Sequence, residues 1–431
     1  MNLKLFTVAA LLLSFVVGQE SGPDGRVAYV QKERVWVKEL PNGEPRQVSE
    51  RFAEFPRWSP SGKRLSFLQS ATSTTITRNP EAHGAQFDFV VVSTEGRSET
   101  AVNLGAGTFK WSPKRDELAF VDEAGVNIRR FEGAPLQELV FQTPRSASIS
   151  SFDWSFDGSV LAVIVVQNGL SNLWSTTLGE KPTEVVHDIN VRQSRAFRLA
   201  HIGFSLVGSS SDGRYWLMWR HPSNSASLAA DGLSMFSVNA VSGDIQLLMP
   251  QSALLHSDFI ARTSQRTDFL VVTGDNRETW TNKRLTLAEP STGKTVALTD
   301  TKAAVTTPAW SPDGRLIAYS AATDVGSSGG GTPARNAVFQ RRLWLMNADG
   351  SGAHQLTSDA RYRDESPDWT SDGRYILFLR MDNQNRTSLW AVQVDNGAAQ
   401  KLIDEIGGSV DSGAWFGYYG HVDWARIFSA F

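Results

Sequence analysis

Cysteine is absent from the 431-residue chain. Disulfides, thiolate metal sites, thiol catalysis and lipid attachment at an amino-terminal cysteine are therefore excluded. Charge of one sign is also scarce. Lys and Arg number 42 against 45 Asp and Glu, a formal charge of −3, which gives no general drive toward nucleic acid or anionic membranes. Helical periodicity is nowhere sustained over three turns after residue 18. The longest apolar run, Leu5–Val17, is too short to span a hydrocarbon core of about 30 Å. With Lys4 before it and Val16-Val17-Gly18 after it, the run reads as a cleaved secretory signal over residues 1–18. That expectation places residues 19–431 in the periplasm, at the cell surface or outside the cell, without stable membrane insertion after cleavage. An exported chain without disulfides needs a large core, which this length allows.

Trp, by contrast, is frequent, at 14 residues, and it recurs in one setting. Pro308–Ser320 reads P-A-W-S-P-D-G-R-L-I-A-Y-S, a short strand, a Pro-Asp-Gly turn and a second strand. The pattern returns around Trp58, Trp111, Trp154 and Trp369, opens the chain as Pro23-Asp24-Gly25-Arg26, and survives in degenerate form at Asp212-Gly213-Arg214 and at Gln265-Arg266-Thr267-Asp268. Spacings run from about 38 to about 59 residues, the period of a four-stranded propeller blade. A third strand follows each hairpin, as in Leu343–Asn347, then a Gly-containing turn such as 348–352, then a short fourth strand such as His354–Thr357.

The fold expected is all-β: a closed β-propeller of four-stranded antiparallel blades forming one domain over residues 19–431. Eight units give eight blades, or six or seven if the first or the degenerate sixth unit is not a true blade. The first unit lacks its innermost strand, and the C-terminal stretch (Ala414–Tyr419, with Asp423–Phe428 beyond) is the candidate to supply it, so that paired termini close the ring. Trp58, Trp111, Trp154, Trp310 and Trp369 are assigned to packing between sheets, and Asp313, Gly314, Asp372 and Gly373 to turns.

The repeated P-x-W-S-P-D-G-R-x-I-A-Y pattern resembles the TolB-like, WD40-like β-propeller repeat and covers nearly all of residues 21–420. Similar propellers form the non-catalytic half of prolyl oligopeptidase and dipeptidyl peptidase-like enzymes. TolB itself has a separate α/β domain before a six-bladed propeller, for which this sequence has no room. The resemblance implies the fold, and binding of protein partners as one use of it; the repeat does not specify a function.

Chemistry is sparse. The single G-x-S-x-G, Gly326–Gly330, lies in a Gly/Ser-rich stretch without the strand and helix that a nucleophile elbow requires. The seven His residues show no metal-ligand spacing, and no phosphate-cradling loop opens a helix, so no catalytic residue, metal or cofactor is assigned. The insertions Ser70–Gln86, His221–Gly232 and Ala321–Gln340 and the links His187–Ala200 and Ser358–Glu365 all fall on the face opposite the Asp-Gly turns. That face carries Arg78, His83, Arg192, Arg195, Arg198, Arg220, His221, Arg335, Arg341, Arg342, Arg361 and Arg363, interleaved with Asp188, Asp359, Asp364 and Glu365. Guanidinium groups suit carboxylates, so an acidic protein, anionic peptide or acidic glycan is the expected partner, unless these are ordinary solvated loop charges. The leading expectation is a non-enzymatic exported scaffold. The alternatives are a propeller enzyme or sensor with its site at the channel mouth, such as a carbohydrate lyase or hydrolase, and a propeller subunit that accompanies a peptidase.

Overall fold

Eight four-stranded antiparallel units follow one another along the chain and close into a ring. The computed structural model describes residues 22–70, 87–94, 98–103, 109–132, 136–189, 203–221, 233–252, 257–275, 278–326, 331–407 and 420–431. Blade 7 shows the plan: Ala303–Trp310, Leu316–Thr323, Arg342–Asn347 and His354–Gln355 pair in chain order. Blades 2 to 5 begin with Ala53–Trp58, Phe109–Trp111, Ala147–Trp154 and Gly203–Ser209. Blade 6 begins with only Ile260–Ala261, and its sheet joins that of blade 5 through the pair Ser252 and Thr273. Blade 8 begins with Tyr362–Trp369. In blade 1 the inner strand is Phe428–Ala430, which pairs antiparallel with Gly25–Gln31. The closing strand thus lies further along than Ala414–Tyr419, a run outside the described residues.

The hairpin turns are built by side-chain chemistry local to each repeat. The Ser311 hydroxyl donates to Asp313 (2.7 Å) and accepts from the Leu316 amide (2.9 Å), while the Arg315 amide donates to Asp313. The Ser311 hydroxyl holds the Asp313 carboxyl below its usual range. Gly314, at φ 69°, takes the left-handed position that glycine occupies without steric cost. Ser155 with Asp157, Ser210 with Asp212 and Thr370 with Asp372 repeat the device. Blade 2 has Ser61 where blade 7 has Asp313, and its carboxylate comes from next door: Asp116 of blade 3 accepts from the Ser61 amide and hydroxyl and pairs with Arg64 at 2.8 Å. Burial pushes the Asp116 carboxyl up, but the Ser61 and Arg64 donors outweigh it and hold it low.

Each motif Trp packs on the preceding blade. Trp58 joins Val30, Val35 and Val37, Trp154 joins Ala119, Val126 and Ile128, and Trp310 joins Leu270, Val272 and Leu285. Four of the five motif indole N–H groups then reach the preceding blade. Trp58 donates to the Ser429 carbonyl, Trp154 to that of Lys110 and Trp369 to that of Ala309, while Trp111 reaches Ser66, whose hydroxyl donates to the Arg57 carbonyl. A buried indole contributes about 150–250 Å² of contact, so this seam carries much of the packing between blades.

Blade 6 has Arg262 in the Trp position, and its guanidinium makes the same kind of link, to the Ser209 carbonyl at 2.7 Å. Gly208 makes room for it. That residue sits at φ 118°, and a Cβ there would lie 2.1 Å from an Arg262 nitrogen. Gly208→Ala is expected to cost about 1–3 kcal/mol from strain and crowding together. Equilibrium unfolding in urea measures the loss, and Arg262→Ala in the same chain should remove the crowding part. No recovery in the double variant would refute the crowding account.

Candidate functional site

Inner strands of several blades carry a bulge three residues before the Trp. Phe55, Thr307 and Ser366 have φ of 57°, 47° and 54°, and the ladder slips between Glu54 and Arg57, Thr306 and Ala309, and Glu365 and Asp368. Bulges re-aim the adjoining side chains. Two carboxylates, Glu54 and Glu365, therefore occupy the same repeat position, four residues before a motif Trp. Asp258, in the short 3-10 turn Ser257–Phe259, holds that position relative to Arg262. Three blades thus bring carboxylates to one region, where residues 420–426 meet them.

Glu365 is the hub. It accepts from Arg341, from Arg363 at 2.8 Å and from the Trp424 indole at 2.8 Å. Arg341 also donates to the Gly420 carbonyl and to Thr279, and Arg363 donates to the same Gly420 carbonyl. Both guanidinium groups are 1% exposed. Burial pushes Arg363 down to about 10, partly offset by Glu365. Burial pushes Glu365 up, but Arg363 and Arg341 hold it below the usual range. Next to it, Asp364 takes a two-point contact from Arg380, whose guanidinium lies over the Trp390, Tyr362 and Phe378 rings at 4.5–5.1 Å. Glu54 pairs with Arg426, and Arg57 donates to the Ala425 carbonyl. The His421 ring lies 3.3 Å from Asp258 and 4.6 Å from the Phe259 ring. Burial and the neighbouring Asp423 hold the Asp258 carboxyl well above the usual range. Burial among the surrounding groups pushes the Asp368 carboxyl up to about 6. Among the described residues, no group of three or more His, Asp or Glu is arranged to hold a metal.

The second feature is a cleft of about 670 Å³. Leu298 and Thr299, which follow the outer strand Thr295–Ala297 of blade 6, line it together with residues of the strands of blade 7. Tyr319 and Trp344, a cross-strand pair with rings stacked at 6.5 Å, line the cleft. Asp300 and Lys302 come from the link between the blades, and Gln340, Arg342 and Gln355 complete the polar wall. The cleft reaches the end of the blade where the insertions emerge. One of those insertions holds helix α1 (Thr332–Phe339), with a proline in its first turn; it begins where the Gly/Ser-rich loop read from the sequence, Thr323–Pro333, ends. Ala334, Ala337 and Val338 of α1 pack on Trp280.

The arginines and histidines proposed from the sequence separate into groups. Arg78, His83, Arg192, Arg195 and Arg198 lie outside the described residues, as does the side chain of His221. Arg220 is half-buried at a strand end, and Arg335 is exposed on α1. Arg361 is exposed and pairs with Asp359 at 2.7 Å. Arg341 and Arg363 face inward, held by Glu365, and Arg342 alone of the set lines the cleft. Of the acidic residues read as possible loop charges, Asp364 and Glu365 are fully buried. Residues 420–426, which the repeat pattern does not reach, supply His421, Trp424 and Arg426. The recurrence of Glu at four residues before Trp58 and Trp369 is the sequence signal that points to this cluster.

A family model described as the WD40 domain of anaphase-promoting complex subunit 4 matches residues 109–205. No curated protein matches the chain. Among solved structures, dipeptidyl peptidase 4 from Porphyromonas gingivalis aligns with a TM-score of 0.59 at 12% identity, covering 88% of this chain and 58% of that one. TolB from Acinetobacter baumannii aligns with a TM-score of 0.37 at 12% identity, covering 89% of this chain and 65% of that one. The chain therefore spans less than two thirds of the length of either structure. Repeat pattern and sheet topology agree: this is an eight-bladed β-propeller, whose residues 109–205 match a WD40 model.

Proposed function

We propose that the chain is an exported, non-enzymatic binding scaffold whose partner, a protein, docks on the loop-rich face. The cleft beside blade 7 carries this reading, because it offers an aromatic floor and polar walls on a rigid scaffold. In the axial cluster, by contrast, Glu54, Asp364 and Glu365 are each held by an arginine of the same chain. Export rests on Lys4 and the apolar run Leu5–Val17.

A second reading, an enzyme acting at the channel mouth, draws on the His421–Asp258 contact and on the raised carboxyl of Asp368. A photo-crosslinking residue at the exposed cleft position Gln340, and another at Val241 on the opposite face, separate the two readings in the cell that makes the protein. The scaffold reading expects a discrete adduct from position 340 and none from position 241. Equal labelling at both, or none at either, would sink it, and turnover lost on Asp368→Asn would support the enzyme.

A further inference from the structure

Resting on the scaffold reading, we propose that the blade 7 cleft takes a peptide segment in which an acidic side chain stands next to an aromatic or branched aliphatic one. The observation behind it is Arg342. Its side chain is buried, only 7% exposed, and lines the cleft wall. One of its nitrogens is held by the Phe339 and Arg341 carbonyls, at 3.2 and 2.6 Å. Among the described residues, no carboxylate lies within ion-pair distance of it. That sets it apart from Arg341, Arg363 and Arg380, the other buried arginines in this part of the ring, each of which has one. Asp364 and Asp359 act on Arg342 only through space, since each is paired with another arginine, Arg380 and Arg361. A buried cation without a direct counter-ion is costly, and an incoming carboxylate would relieve that cost.

The surroundings fix the rest of the ligand. Lys302, at the rim, is exposed and forms no ion pair among the described residues. Asp300, the cleft's one acid, turns its carboxylate to the Lys302 amide at 2.8 Å and so serves the local turn. The cleft therefore presents two cations and one anion, a net positive charge, to an incoming carboxylate. The stacked Tyr319 and Trp344 rings form an apolar floor, and the small Ala321, Ala322 and Ala353 side chains leave room above it. The outer strand His354–Gln355 has one neighbour only, so its free edge can pair with an extended backbone. The free edge favours a peptide over a sugar.

Fluorescence anisotropy with three labelled, acetylated and amidated pentapeptides, AFELA, AFQLA and AFKLA, tests the proposal. AFELA should bind the full chain saturably, about tenfold more tightly than AFQLA, with AFKLA weaker still. Arg342→Gln should abolish the preference for AFELA over AFQLA, and Trp344→Ala should weaken both. Lys294→Gln, on the opposite face, should change neither. Should Arg342→Gln fail to fold, Lys302→Gln at the exposed rim and the salt dependence of AFELA binding to the unaltered chain decide instead: both should weaken AFELA selectively. Equal binding of AFELA and AFQLA, no binding of either, or displacement of neither by variants while a hyaluronan hexasaccharide binds saturably, would overturn it. If crosslinks at position 340 persist while the peptides fail, this proposal falls and the scaffold reading stands.

Discussion

Glu365→Gln will destabilise the chain by about 3–5 kcal/mol, the usual cost of removing one partner from a buried ion pair. The variant leaves the guanidinium groups of Arg341 and Arg363, each 1% exposed, without their shared counter-charge. It also weakens the acceptor for Trp424, and with it the anchorage of residues 420–426. The pH dependence carries a sign that makes the account specific. Glu365 has a depressed carboxyl in the folded chain, so its contribution is present above the ordinary carboxylate range and is lost as pH falls through the folded value. Asp258 has a raised carboxyl, so its contribution runs the other way, diminishing as pH rises from the ordinary value through the raised one. Glu365→Gln should therefore flatten the acid limb of a stability–pH profile, and Asp258→Asn should not. Chemical unfolding at a series of pH values reads both; an unchanged acid limb in Glu365→Gln would refute the role assigned to the hub.

Removing residues 428–431 will cost more. The deletion strips the inner strand from blade 1 and exposes the edge of Gly25–Gln31. It removes the Ser429 acceptor of the Trp58 indole, the two hydrogen bonds between Arg26 and Phe431, and the Phe431 ring beside Trp58. Loss of the Phe428 side chain alone is worth about 3–5 kcal/mol, and the hydrogen bonds add about 1 kcal/mol each. An open strand edge also recruits other chains. The expected result is concentration-dependent association on size-exclusion chromatography with light scattering, together with a broadened, lowered thermal transition. Phe428→Ala should reproduce the lowered transition without the association. A monomeric deletion variant with an unshifted transition would refute ring closure by this strand.

The blades were legible in the sequence because most of what makes them is local. Strand alternation, the Ser-x-Asp-Gly turn and the Trp beside it all fall within a dozen residues, and even blade 6 keeps its turn through Thr263, Arg266 and Asp268. The axial cluster was legible only in fragments. Arg361, Arg363, Asp364 and Glu365 sit together in one charged run, yet Arg361 faces solvent and the other three are buried. What separates them is a bulge and contacts with Thr279, Gly420 and Trp424, which lie in other parts of the chain. Helix α1 is too short to impose a readable period on a Gly-rich insertion. The cleft is lined by residues of two blades, a relation that no motif in blade 7 records.

The pairing of Ala28 with Ser429 sets an order of events during synthesis. As the polypeptide emerges, blades 2 to 8 can each assemble from strands already made. The first blade cannot: its inner edge must wait about 400 residues for its partner. For that whole interval the nascent chain carries an open sheet edge at its oldest end. The last few residues therefore act as a clasp, fastened only once the rest of the ring has been made.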